Sequence, residues 1–230
     1  MKRGAPQGGT FAMDETRKIK SEVIARFFGD VDTRVAFLSE LARTGHKREA
    51  MTLCLTYIDS FAQWLCWPAT SSGRNFVEAV MQFGGDPLMP LAHPLQAIRA
   101  FETMKAPWKD LANRIKDAFP GPSYELLTTP AFVGALRSRL TNIELEKLRP
   151  EVWRTTIANL TYQHLRNPSV HAFGGSDGIW LSQTTHQGAP VPPIEFQQLL
   201  GCVRGLVAEA RRRSEETGQW FGNDAMVKDA

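Results

Sequence analysis

The sequence predicts an all-α fold, a helical bundle with one long irregular loop that has room for a short hairpin. Three observations lead there. Capping residues, first-turn prolines and helix-ending glycines recur along the chain, whereas strand-like alternation is nearly absent. The stretch from Lys47 to Trp67 is apolar on nearly every face, the pattern of a buried central helix. Glycines and prolines make residues 174–193 one long irregular loop, where Ile179-Trp180-Leu181 is the single strand-like piece.

The elements follow in order. Ile19, Val23 and Phe27 are spaced by four within a helix expected over 14–28, which stops before Gly29. Asp32 can cap a second helix over 33–44, ended by Gly45, so the two read as a helical hairpin. The central helix, 47–67, is halted by Pro68. A break at Ser71-Ser72-Gly73 precedes a short helix over 75–83, and Gly84-Gly85 with Pro87, Pro90 and Pro94 makes the next residues irregular. Helical spacing resumes over 94–105 and 108–119. Thr129-Pro130 opens a helix over 131–140, and Thr141-Asn142-Ile143-Glu144 has the form of a capping box. Pro150 opens a helix carrying Trp153, Ile157, Leu160 and Leu165, and residues 194–220 close the chain as a long amphipathic helix. Its basic run, Arg211 to Arg213, reads as a solvated face balanced by Glu215 and Glu216. One helical domain is therefore expected over 14–221, between a disordered N-terminus at 1–13 and a flexible tail at 222–230.

Composition narrows the function classes. A chain of 230 residues that is 43% hydrophobic can bury a sizeable core. Its formal charge of +3 is too small for a histone-like nucleic-acid binder but allows a local phosphate site. Cys54, Cys66 and Cys202 sit apart among apolar neighbours, which suits buried thiols rather than disulfides or zinc ligands. No Cys-x-x-Cys pair, His-Glu-x-x-His or lysine-bearing phosphate loop occurs, and no metal or cofactor is expected. The 1–13 segment lacks the apolar core of a signal peptide, and the 50–67 run is interrupted by Thr52, Thr56, Asp59, Ser60 and Gln63, so a cytoplasmic protein with no membrane span is expected.

Chemistry concentrates in Leu165-Arg166-Asn167-Pro168-Ser169-Val170-His171-Ala172-Phe173. Proline at 168 disfavours helical dihedrals at Asn167, so the helix from Pro150 should kink or restart here, turning Arg166 and His171 toward a common space. Arginine offers a permanent planar fork for phosphate oxygens, and histidine exchanges a proton near neutral pH. Metal-free RNA cleavage needs a base for the ribose 2′-OH, an acid for the leaving oxygen and positive charge on the pentavalent phosphorane. One histidine serves only one of those proton transfers comfortably, so a homodimer apposing two copies would supply the other.

The Arg-Asn-x-x-x-His spacing in a helical chain resembles the Arg-polar-x-x-x-His signature of the HEPN superfamily, whose members include metal-independent ribonucleases of toxin–antitoxin, CRISPR-associated and antiphage systems. The resemblance covers about eight residues. It implies a commonly dimeric helical bundle with the signature at the dimer interface, Arg166 and His171 as catalytic residues and Asn167 as the polar supporting residue. It further implies RNA as substrate, a toxin–antitoxin or antiviral setting, and an antitoxin or regulatory protein as a further partner. Part of the family follows the histidine with x-Tyr, where this chain has Ala172-Phe173. Two other readings stay open: a structural role in which Arg166 caps carbonyls and His171 hydrogen-bonds in a packed turn, and a non-catalytic helical module that binds nucleotide, RNA or a protein.

Weaker candidates surround this segment. Asp59, a carboxylate inside the apolar central helix, must be paired or hydrogen-bonded and could orient a catalytic group. His186 in the irregular loop is a candidate second histidine or RNA contact, against the simpler reading of a solvated loop residue. Asp177 reads as a turn residue, and His164 has no companion ligands for a metal. Arg137, Arg139, Arg149 and Arg154 alternate with Glu144, Glu146 and Glu151, favouring a salt-bridged surface over an RNA track. Trp64, Trp67 and Trp153 read as core.

Overall fold

The computed structural model describes residues 9–66, 71–105, 107–168 and 178–219, with side chains from Lys18 onward. The fold is all-α in character, with one small sheet. Helix α1, Gly9–Arg43, runs without interruption, so the expected hairpin over 14–44 is a single helix. Ile24, Phe28, Val31, Val35 and Leu38 form one buried stripe that crosses Gly29. Burying that continuous stripe outweighs the roughly 1 kcal/mol a mid-helix glycine costs. Thr33 Oγ1 also donates to Gly29 O at 3.0 Å, bonding back to the turn before it rather than capping a new helix. The chain does turn at Gly45, whose φ of +98° suits glycine.

Helix α2, Lys47–Leu65, is the central element foreseen in the sequence. It packs against α1, α3 (Ser72–Phe83) and the last helix, α9 (Phe196–Thr217). Ala50, Cys54, Leu55, Ile58 and Phe61 of α2 meet Phe76 and Val80 of α3 and Leu199, Val203 and Leu206 of α9 in the main core. Gly205 lets α9 approach α3, since a Cβ there would meet Phe83 O and the backbone of Gly84. The run at 211–213 is less solvated than expected. Arg211 Nη2 lies 2.6 Å from Asp32 Oδ2, and Arg213 Nη1 donates to Leu65 O at 2.9 Å, so both tie α9 to its neighbours. Arg212 pairs with Glu209 and Glu216 on its own helix.

Helices α4 (Pro94–Glu102), α5 (Trp108–Ala118), α6 (Thr129–Leu136) and α7 (Asn142–Leu148) surround a second core built on Phe101, Ile115, Phe132 and Leu148. The capping box at Thr141 is present, with Thr141 N–H donating to Glu144 Oε2 at 2.8 Å. The segment before α4 joins the two cores through backbone bonds: Ala92 N to Leu127 O at 2.7 Å, His93 N to Thr155 O at 2.8 Å and Ile157 N to Leu91 O at 3.0 Å.

The helix expected from Pro150 is three pieces instead. A 3₁₀ segment, Arg149–Thr155, ends at Thr156, whose hydroxyl accepts from Asn159 N–H and caps α8, Ile157–Thr161. A π-turn, Tyr162–Arg166, follows directly. Strands also fall elsewhere than expected. Ile179 makes one isolated bridge with Ile194, while the hairpin is β2 (Thr184–His186) and β3 (Ala189–Pro190), turned through Gln187 and Gly188 with φ of 52° and 78°. Two consecutive positive φ values define a tight loop whose twist matches that of the strands. β2 also pairs in parallel with β1, Tyr124–Glu125, a strand two residues long and too short for period-two alternation to announce it.

Candidate functional site

Arg166 ends the π-turn, and two constraints place it. Leu165 beside it is fully buried in the main core. In addition, Asn167 N–H bonds Tyr162 O, the five-residue step that widens a helix locally. Asn167 itself has φ of −62° and ψ of −49°, so the expected departure from helical dihedrals before Pro168 does not occur. In a regular α-helix the proline ring strikes the carbonyl four residues back. Here the N–H before that ring already reaches five residues back to Tyr162 O, so the ladder is altered in the turn preceding the proline.

The turn carries Arg166 to the central helix. Its Nη2 donates to Asp59 Oδ2 at 2.8 Å, with the arginine side chain 12% and the aspartate side chain 24% exposed. The guanidinium lies over the Tyr162 ring, 5.4 Å from its centroid, and Nη1 is 3.4 Å from Asn167 Oδ1. Asn167 Nδ2 in turn lies 3.4 Å from Gln163 Oε1. Asp59 Oδ1 is buried and accepts no hydrogen bond among the described residues. Thus the carboxylate that needed a partner and the arginine singled out for phosphate chemistry are one ion pair, with Asn167 at its edge.

Tyr162 was not identified from the sequence. Its ring fills the space over Gly73, where a Cβ would sit 2.8 Å from the ring's Cε1, and it packs 5.3 Å from the Phe76 ring. That contact fixes the platform beneath Arg166. The available sequence signal was a tyrosine four residues before the arginine, a spacing at which helical side chains meet. Close by, Asn75 is buried and its Nδ2 donates to Gln63 Oε1 at 3.0 Å, bracing α3 against α2.

The other candidates are dispersed. His171, with Asp177 and Trp67, lies outside the described residues. His186 sits on the hairpin, half-buried, with Nδ1 3.4 Å from Leu126 O, so its ring engages the small sheet. His164 is exposed, and no cluster of three or more His, Cys, Asp or Glu residues able to hold a metal occurs among the described residues. Arg149 pairs with Glu146 at 3.4 Å and Arg154 with Glu151 at 2.5 Å, while Glu144 pairs with Arg114 rather than with Arg137 or Arg139. Trp64 and Trp153 pack partly buried against the main core. The three cysteines are free, and burial pushes the Cys54 and Cys202 thiols up to about 12. Neither of these two is thiolate at neutral pH.

A second polar centre went unnoticed in the sequence. His93 is 5% exposed, its Nε2 is 3.1 Å from Thr184 Oγ1, and its Nδ1 has no partner among the described residues. Burial, with a smaller contribution from Arg99, holds the ring down to about 4, so it is neutral at physiological pH. It fastens the N-terminus of α4 to β2.

No family model, curated protein or solved structure matches this chain. The described residues contain no helix long and apolar enough to cross a membrane.

Proposed function

We propose that this chain is a HEPN-like, metal-independent endoribonuclease. The observation that supports it most is the Asp59–Arg166 pair, in which a carboxylate from the central helix, a tyrosine ring and a π-turn together orient one guanidinium directly before Asn167 and the motif histidine. π-Turns recur at functional sites because they turn a side chain out of helical register at a cost in stability. A largely desolvated, oriented guanidinium suits charge that develops on a phosphorane.

In this reading the 2′-oxygen attacks the adjacent phosphorus and the bond to the 5′-oxygen breaks. His171 of one copy takes the 2′-OH proton, and a second copy's histidine gives a proton to the leaving 5′-oxygen. The products are a 2′,3′-cyclic phosphate and a 5′-hydroxyl. Arg166 stabilises the phosphorane and Asn167 positions the phosphate. Asp59 holds Arg166 in place, and the protein works in the cytoplasm as a homodimer in a toxin–antitoxin or antiviral setting.

End-labelled RNA incubated with the protein in EDTA tests this. Cyclic-phosphate ends are expected, lost in His171→Ala while the circular dichroism and melting curve hold. Retention of RNA without cleavage would assign the chain to the helical binding modules instead. Unfolding of the variant would make His171 a packing residue.

A further inference from the structure

The outer face of α1 carries two large apolar side chains in water. Ile19 and Phe37 are each 56% exposed; the opposite side of α1 packs on the core from Ile24 to Leu38, while residues 18–22 around Ile19 are all exposed. Eighteen residues separate them, five turns of about 3.6, so they point in the same direction some 27 Å apart. Between them Glu22, Arg26, Asp30 and Arg34 form an i, i+4 ridge of exposed charges centred on that direction. None of the four makes an ion pair among the described residues, even though neighbouring members of the ridge have opposite signs.

The order of these six residues is self-complementary when reversed. Around a twofold axis at the level of Phe28, Ile19 faces Phe37, Glu22 faces Arg34 and Arg26 faces Asp30 of the other copy. Each apolar residue meets an apolar one and each charge meets its opposite. Gly29 leaves open space on the exposed surface at that level, which permits close approach. Ridges spaced by four are the rows that interdigitate in the commonest helix-pair geometry, at an interaxial angle near −50°, and at somewhat smaller angles the Ile19 and Phe37 ends also meet.

We infer that α1 pairs antiparallel, along this face, with α1 of a second copy of the chain. Such an interface is isologous, so every contact occurs twice. One helix pair buries less than the roughly 800 Å² per partner of a standard interface, so the association is reversible and concentration-dependent. The inference does not rest on the ribonuclease reading.

Sedimentation equilibrium at tens of micromolar protein tests it through a charge exchange. Arg26→Glu places two like-charge pairs across its own interface, and so does Asp30→Arg. Each variant alone should fall to half the mass of the wild-type assembly. Mixed one to one, the carboxylate introduced at position 26 of one chain meets the guanidinium introduced at position 30 of the other. The native Asp30 and Arg26 that remain also face each other, so the wild-type mass should return. Recovery on mixing cannot come from a folding defect. A wild-type chain that stays monomeric, single variants that keep the wild-type mass, or a mixture that stays at half mass would overturn the pairing.

Discussion

Removing the carboxylate of Asp59 should destabilise the protein well beyond the value of an ordinary surface ion pair. Arg166 is 12% exposed and its Nη2 lies 2.8 Å from Asp59 Oδ2, so Asp59→Leu removes a carboxylate from beside a largely desolvated cation over the Tyr162 ring. Breaking a buried pair from one side costs about 3–5 kcal/mol, and the aspartate's 24% exposure brings the expectation to about 2–3 kcal/mol. At about 2–4 °C per kcal/mol for a chain of this length, the melting temperature should fall by about 4–12 °C. Arg166→Met should cost a similar amount, because Asp59 Oδ1 already lacks a partner among the described residues and Oδ2 would then lose its own. The double variant removes both charges and should lie within about 1 kcal/mol of the wild type. Urea unfolding followed by circular dichroism closes the cycle, with an expected coupling of about 3–7 kcal/mol, the two single losses together less the small change in the double variant. Additivity of the two single changes within about 0.5 kcal/mol would show that the pair is a solvated contact and that Asp59 does not hold Arg166.

Two further perturbations probe the scaffold. The folded His93 ring resists protonation until about 4 whereas the unfolded ring accepts a proton near 6.5, so acid favours unfolding: the associated stability is intact above 6.5 and lost as pH falls toward 4. From pH 7.5 to 5 this amounts to about 2 kcal/mol, and His93→Gln should flatten that part of the urea-midpoint profile; an unchanged slope would mean that the ring is hydrated. Gly201 and Gly205 lie one turn apart on α9 with opposite surroundings. A methyl at 205 meets Phe83 O and Gly84, so Gly205→Ala should cost about 1–3 kcal/mol or more, while Gly201→Ala enters open space and should gain about 0.5–1 kcal/mol. Equal melting temperatures for the two would refute the close α3–α9 approach.

Which parts of this arrangement were legible in the sequence follows from the range of the interaction involved. The central helix, the capping box at Thr141 and the turn at Gly45 each depend on residues within a few positions of one another, and the sequence signalled all three. Gly29 and Asp32 supplied an equally local stop-and-start signal, yet the long apolar stripe of α1, satisfied only by packing on α2 and α9, overrode it. His93 escaped notice because it stands between Pro90 and Pro94, where no periodicity forecasts burial, and its partner Thr184 is 91 residues away.

Asp59 and Arg166 occupy an intermediate position between these cases. Burial physics alone required Asp59 to find a partner, since a carboxylate in an apolar helix is too costly unpaired. The Arg-Asn-Pro segment alone marked Arg166 as a cation at a helical irregularity. Neither argument could join them across 107 residues, nor place the irregularity on the π-turn before the proline instead of at it. Two independent local demands are met by a single contact, an economy that gives the Asp59–Arg166 pair more weight than any ion pair on the surface, where neither partner had an unmet need.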